Sequence, residues 1–93
     1  MRTEAPPLLP IFRSEGQGRL LARVYLAPDR PAPLAEIARE LELDSGGLTR
    51  EADRLERAGL VRSERIGRQR LLHPNTDSPY YRDLHGLLLT AFG

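Results

Sequence analysis

The 93-residue sequence contains no cysteine and no lysine. Without thiols there are no disulfides and no thiolate metal sites. No stretch approaches the roughly 18 apolar residues that a membrane-spanning helix needs. The apolar opening over residues 6–12 carries three prolines and lacks the cleavage pattern of a secretory signal, so the expected location is the cytoplasm. Histidine is scarce as well. His73 and His85 have no serine, cysteine or carboxylate at a spacing that suggests a nucleophile and its base, and Asp83 and His85, two apart on a helix, do not face each other. A metal site from His73, Asp77 and His85 lacks the usual ligand spacing. Gly16 and Gly18 precede a helix, but no strand leads into them as a phosphate-cradling loop would require. These absences leave no expected catalytic residue, metal or cofactor. That all fourteen basic residues are arginine carries no functional reading by itself.

What is present is periodicity. Leu34, Ile37, Ala38 and Leu41 fall at i, i+3, i+4 and i+7, so residues 33–42 predict an amphipathic helix exposing Glu36, Arg39, Glu40 and Glu42. Leu43, Asp44 and Ser45 interrupt it, and either Asp44 or Ser45 supplies the cap of the next helix. Leu48, Ala52, Leu55 and Gly59 continue the spacing, with Thr49, Arg50, Asp53, Arg54 and Arg57 pointing elsewhere, Arg57 placed to pair with Asp53 at i, i+4, and Gly59 closing the helix after Ala58. The period then changes. Residues 60–66 read as a strand, Gly67 and Arg68 as a tight turn, and residues 69–73 as the returning strand before Pro74.

Two short helices joined by about three residues, the second bearing arginines, form the arrangement in which one helix braces another lying in a DNA major groove. The following hairpin carries Arg62, Arg65, Arg68 and Arg70 against Glu64 alone and suits contact with phosphates or the adjacent minor groove. Net charge is only +1, but it is unevenly spread. Residues 33–44 hold four acids against one arginine, net −3, whereas residues 45–73 hold seven arginines against four acids, net +3. The positive half is the half assigned to nucleic acid. Gly46 and Gly47 are poor helix formers, explained by close approach of the backbone to a phosphate or base edge, or by a frayed first turn.

Around this centre, Ser14 and Gln17 have the form of a capping box, and Leu20, Leu21, Val24 and Tyr25 give a first helix its buried stripe up to about residue 27. The proline-rich linker over residues 28–33 has room for a residue or two to pair as a short third strand. Asp77 or Ser78 caps a last helix with Pro79 at its first position. That helix shows Tyr80, Leu84, Leu87, Leu88 and Phe92 on a broad apolar surface, more than a domain of this size covers alone.

Residues 34–74 resemble the winged helix-turn-helix of bacterial transcription regulators of the ArsR and, second, the MarR type. The resemblance lies in LAEIARELEL, SGGLTREADRLERAGLV and a hairpin with Gly and Arg at its tip. The flanking segments are similar to ArsR-like proteins in which the module stands alone or precedes a nucleotidyltransferase-like domain. The expected fold is therefore mainly α with a small β-hairpin, in the order α-(β)-α-α-β-β-α, as one domain over residues 1–93 with an arm over 1–13 and a C-terminal helix over 79–92. The expected function is sequence-specific binding of double-stranded DNA through Ser45, Gly46, Gly47, Thr49, Arg50, Arg54, Arg65, Arg68 and Arg70. Such a resemblance also implies a homodimer closed by the N-terminal segment and last helix, through Leu9, Phe12, Tyr80, Leu84, Leu87, Leu88 and Phe92. The alternative is a protein-interaction module working with a separate partner such as a nucleotidyltransferase.

Overall fold

The computed structural model describes residues 12–93, so the expectations placed on Leu9 and most of the arm lie outside the described residues. Four helices and one hairpin follow in the order α1 (Glu15–Leu26), α2 (Leu34–Leu41), α3 (Ser45–Arg57), β1 (Val61–Ile66), β2 (Gln69–Pro74) and α4 (Tyr81–Phe92). This is a winged helix. The strands pair antiparallel with Val61 opposite Pro74 and Ile66 opposite Gln69, and the linker adds an isolated bridge between Pro33 and Leu71. The proline that ends the linker thus reaches the hairpin through a single residue pair, the short third strand expected there.

Helix α1 is the hub of the core. Leu20, Leu21, Val24 and Tyr25 are buried among Leu34, Ile37 and Ala38 of α2, Leu48, Ala52 and Leu55 of α3, Val61 and Leu72 at the base of the hairpin, and Leu88 of α4. Each such side chain taken fully from water contributes about 1.5–3 kcal/mol, so the periodic stripes of all four helices converge on one small core. Gly18 has a packing role. A Cβ at Gly18 would stand 3.1 Å from Phe92 Cζ and 3.2 Å from Phe12 Cδ2, so the bare backbone lets these two rings, centroids 6.3 Å apart, lie over α1.

The helix ends follow local chemistry. Gln17 N–H donates to the Ser14 hydroxyl at 3.1 Å, the first half of the capping box, while the Gln17 amide oxygen accepts from Arg13 N–H at 2.7 Å. Helices α2 and α3 close with the same pair of backbone bonds: Leu43 N to Ala38 O and Glu42 N to Arg39 O after α2, then Leu60 N to Leu55 O and Gly59 N to Glu56 O after α3. The left-handed residue in the second motif is Gly59 at φ 78°, but in the first it is Glu42 at φ 56°. A side chain there costs about 1–2 kcal/mol.

Helix α4 starts two residues later than expected. The Asp77 carboxylate is bound by Arg62, and the Ser78 hydroxyl accepts from Tyr80 N–H at 3.1 Å, so neither caps the helix and residues 78–80 form a turn. Tyr81, rather than Tyr80, therefore faces inward, its ring centroid 5.4 Å from that of Tyr25. Leu88 and Phe12, expected at an interface between copies, are buried in the chain's own core. They pack beneath the α1–α4 contact, where Gly18 makes room for Phe12.

Tyr25 donates its hydroxyl to Leu60 O at 2.6 Å, and burial, with the neighbouring Tyr81 second, pushes its pKa from 10.0 up to about 12. Because the folded state favours the neutral phenol, this contribution is complete below pH 10 and is lost as pH rises through about 12. Tyr25→Phe is expected to lower stability at neutral pH by about 1 kcal/mol and to flatten the alkaline limb of the stability curve, measured by urea unfolding from pH 8 to 12. Glu42→Gly is expected to raise stability by about 0.5 kcal/mol, the relief of left-handed strain exceeding the added freedom of the unfolded chain. A shift of the urea midpoint checks it.

Candidate nucleic-acid interface

The exposed side of α3 is built from its N-terminus. Asp44 is the cap, its Oδ2 accepting from Gly47 N–H at 2.7 Å. A Cβ at Gly46 or Gly47 would lie 3.4 or 3.3 Å from that oxygen and 3.7 or 3.8 Å from the terminal nitrogens of Arg50. Only the approach of a Gly47 Cβ to the capping oxygen is tighter than ordinary contact, so packing against Arg50 does not require the glycine pair. Ser45, Thr49 and Arg50 are exposed. The Thr49 hydroxyl donates to Ser45 O at 2.8 Å, which leaves its oxygen able to accept from outside.

Behind this surface lies Glu51, the buried charged residue of α3, with a side chain only 8% exposed. Its spacing from Leu48, Ala52 and Leu55 puts it on the apolar stripe, a signal the acid's chemistry conceals. Gln17 Nε2 donates to its Oε2 at 2.7 Å, and Arg13 and Arg54 each approach its Oε1 at 3.4 Å. The acid is satisfied from three sides, tying α3 to the start of α1 and fixing the Arg54 side chain one turn along α3. These residues border a cleft of about 290 Å³ that Arg50 also lines.

On the other flank, the hairpin is locked to α3 by one guanidinium. The side chain of Arg70 is 10% exposed and donates to Asp53 Oδ1 at 2.7 Å, Glu56 Oε1 at 2.8 Å and the Ser63 hydroxyl at 2.9 Å. Ser63 in turn donates to Glu56 Oε1 at 2.7 Å, and the bonds from Ser63 and Arg70 hold the Glu56 carboxyl below its usual pKa. Two expectations are corrected here. Arg70 does not present its charge outward for a phosphate, because two carboxylates of α3 already occupy it. Asp53 pairs with Arg70 rather than with Arg57 one turn along its own helix.

The wing tip keeps its cations free. Gly67 takes φ 61°, which allows Ile66 and Gln69 to pair across a two-residue turn, and Arg65 and Arg68 are exposed with no ion pair among the described residues. Thr49 of α3 shares a cleft of about 390 Å³ with both. Helix α3 and the wing tip thus border one surface. His73 pairs with Glu64 at 2.8 Å, Asp77 with Arg62, and His85 lies against Tyr81, so these three potential ligands go to separate partners. No group of three or more metal-ligating side chains occurs among the described residues, and no helix among them is long and apolar enough to cross a membrane.

The family model that matches this chain, over residues 13–70, is that of the MarR family. The chain belongs to the MarR family. The match covers α1 through the Arg70 lock and corresponds to the second of the two resemblances seen in the sequence. Solved structures give the same fold to this MarR-family chain. Reduced HlyU from Vibrio cholerae is similar with a TM-score of 0.70 and 21% identity over 91% of this chain and 84% of that one. The transcriptional regulator SlyA is similar at 0.68 and 16% identity, over 89% of this chain and 57% of that one. A double mutant of ZitR from Lactococcus lactis is similar at 0.66 and 17% identity, over 84% and 51%. The chain thus spans most of the HlyU chain but little more than half of the other two. No curated protein matches the sequence.

Arg70→Met is expected to lower stability by about 1–2 kcal/mol, less than for a fully buried pair because Asp53 and Glu56 remain partly hydrated when freed. It should also speed amide exchange in β1 and β2 more than in α1. Equal acceleration in both would mean that Arg70 does not fix the wing in particular.

Proposed function

We propose that this MarR-family chain is a non-enzymatic, sequence-specific double-stranded-DNA-binding regulator of transcription, working as a homodimer in the bacterial cytoplasm. The observation that carries this reading is the shared border of α3 and the wing tip, where Thr49, Arg65 and Arg68 line one cleft. A helix fits a major groove about 12 Å wide, and a wing beside it then reaches the flanking backbone or minor groove.

In this reading Ser45, Thr49 and Arg50 meet base edges, with Gly46 and Gly47 close to the backbone, and Arg54, Arg65 and Arg68 hold phosphates. Arg50 is the preferred base reader, since a guanidinium bonds guanine O6 and N7 together, worth about 1–3 kcal/mol of discrimination. Arg70 contributes by fixing the wing instead of by contact.

Pairing is supported by the outer side of α4. Tyr80 is 67% exposed, and with Leu84 and Leu87 it surrounds a largely apolar depression that also involves Leu60. A twofold pair joined there would carry two recognition helices to half-sites about 34 Å apart. Leu84, Leu87, Phe92 and Tyr80 are the interface residues retained by this reading, while Phe12 and Leu88 support them from within. The acidic exposed side of α2 and the same depression suit the second reading, a module docking a separate protein such as a nucleotidyltransferase.

Titration of a random duplex at rising salt separates the two. A DNA binder loses affinity with a slope near 0.9 per phosphate contacted, whereas a docking module has little binding to lose. Arg50→Ala is expected to relax preference at one base pair of a selected site. Arg68→Ala is expected to weaken all duplexes alike and to flatten the salt slope. Equal loss of specificity from both would contradict this division of labour.

A further inference from the structure

The cleft between α2 and the wing has a third cation. Arg39, on the outward side of α2, lines it together with Arg65 and Arg68. All three are exposed, and among the described residues none of them makes an ion pair. Among those residues Glu36 is the one carboxylate that lines the cleft, and the charge of Arg70, which also lines it, is already balanced by Asp53 and Glu56. Three guanidiniums from two separate elements therefore face one open cleft against a single acid. Like charges gathered in this way repel one another unless an anion lies between them.

Resting on the DNA-binding reading above, we propose that Arg39 is a phosphate-contacting residue. With Arg65 and Arg68 it forms a cradle for one stretch of the duplex backbone along the wing side of α3. The geometry points to a phosphodiester strand because a helix seated in the major groove has a sugar-phosphate backbone on each flank, and this cleft adjoins α3 at Thr49. A helix that is net acidic overall thus lends its one arginine to the DNA side, while Glu40 turns to Arg23 of α1 at 2.6 Å. The pairing divides α2 into a side that braces α1 and a side that meets the backbone.

The test compares salt dependence of duplex binding, for a random and for a selected duplex, in the wild type, Arg39→Ala, Arg39→Lys and Arg82→Ala, the last on the exposed surface of α4. Arg39→Ala should lower the slope by about 0.9 on both duplexes, so that a rise from 50 to 200 mM salt costs it about 3.5-fold less affinity than the wild type. Arg39→Lys should keep most of the slope, since a lysine serves a phosphate as a point charge. Arg82→Ala should keep all of it. A steep wild-type slope unchanged in Arg39→Ala overturns the cradle and leaves DNA binding intact, as does a loss confined to the selected duplex or an equal loss in Arg39→Lys. A wild type without a steep slope overturns the DNA-binding reading itself.

Discussion

A guanidinium held largely out of water must be paired, and Arg70 meets that requirement by joining the hairpin to α3. Its side chain reaches from β2 across to Asp53 and Glu56 on α3 and to Ser63 on β1. The hairpin enters the core at its base, through Val61, Leu71 and Leu72, and its tip is exposed. A two-stranded ribbon so attached has little stability of its own. Arg70 with its three bonded partners therefore ties the wing to α3 above that base, and the surface the two offer together depends on that bond set.

The same helix is held from its other flank by the opposite charge. Glu51 enters the apolar stripe of α3 and is met by Gln17 of α1 with Arg13 and Arg54. One buried acid and one buried base, on opposite flanks of α3, thus position it against α1 and against the wing. Each consumes partners that a count of charges would assign to the surface. Among the described residues, the arginines that make no ion pair include Arg39, Arg50, Arg65 and Arg68, which lie on and around α3. Opposite charges paired within the fold and like charges exposed beside them give the surface around α3 and the wing tip its cations, on a chain whose net charge is only +1.

Most of the fold was legible because its elements are short and their apolar spacing is strict. The 3.6-residue stripes of α2 and α3, the change of period after Gly59 and the turn at Gly67 all stand where local chemistry puts them, within a residue or two. What local reasoning missed depends on distance along the chain. Arg68 and Arg70 are neighbours in composition, but only the fold brings Arg70 to acids 14 and 17 positions away. The i, i+4 rule favoured Asp53 with Arg57, yet a nearly buried guanidinium competes better for that carboxylate than an exposed one. Glu51 was readable, since it occupies the stripe between Leu48 and Leu55, where an acid needs an interior partner. At α4, Arg62 removed Asp77 from capping, so the inward tyrosine became Tyr81, and the apolar surface expected between two copies was in part the chain's own core.

In the proposed function α3 and the wing tip form one duplex-facing surface. Backbone amide chemical shifts followed during titration with a random-sequence duplex test this most directly. The largest changes are expected at Ser45, Thr49, Arg50, Arg65 and Arg68, with the outer side of α4 around Tyr80 and Leu84 undisturbed. Changes centred on Tyr80 and Leu84 that leave α3 and the wing unmoved would contradict it.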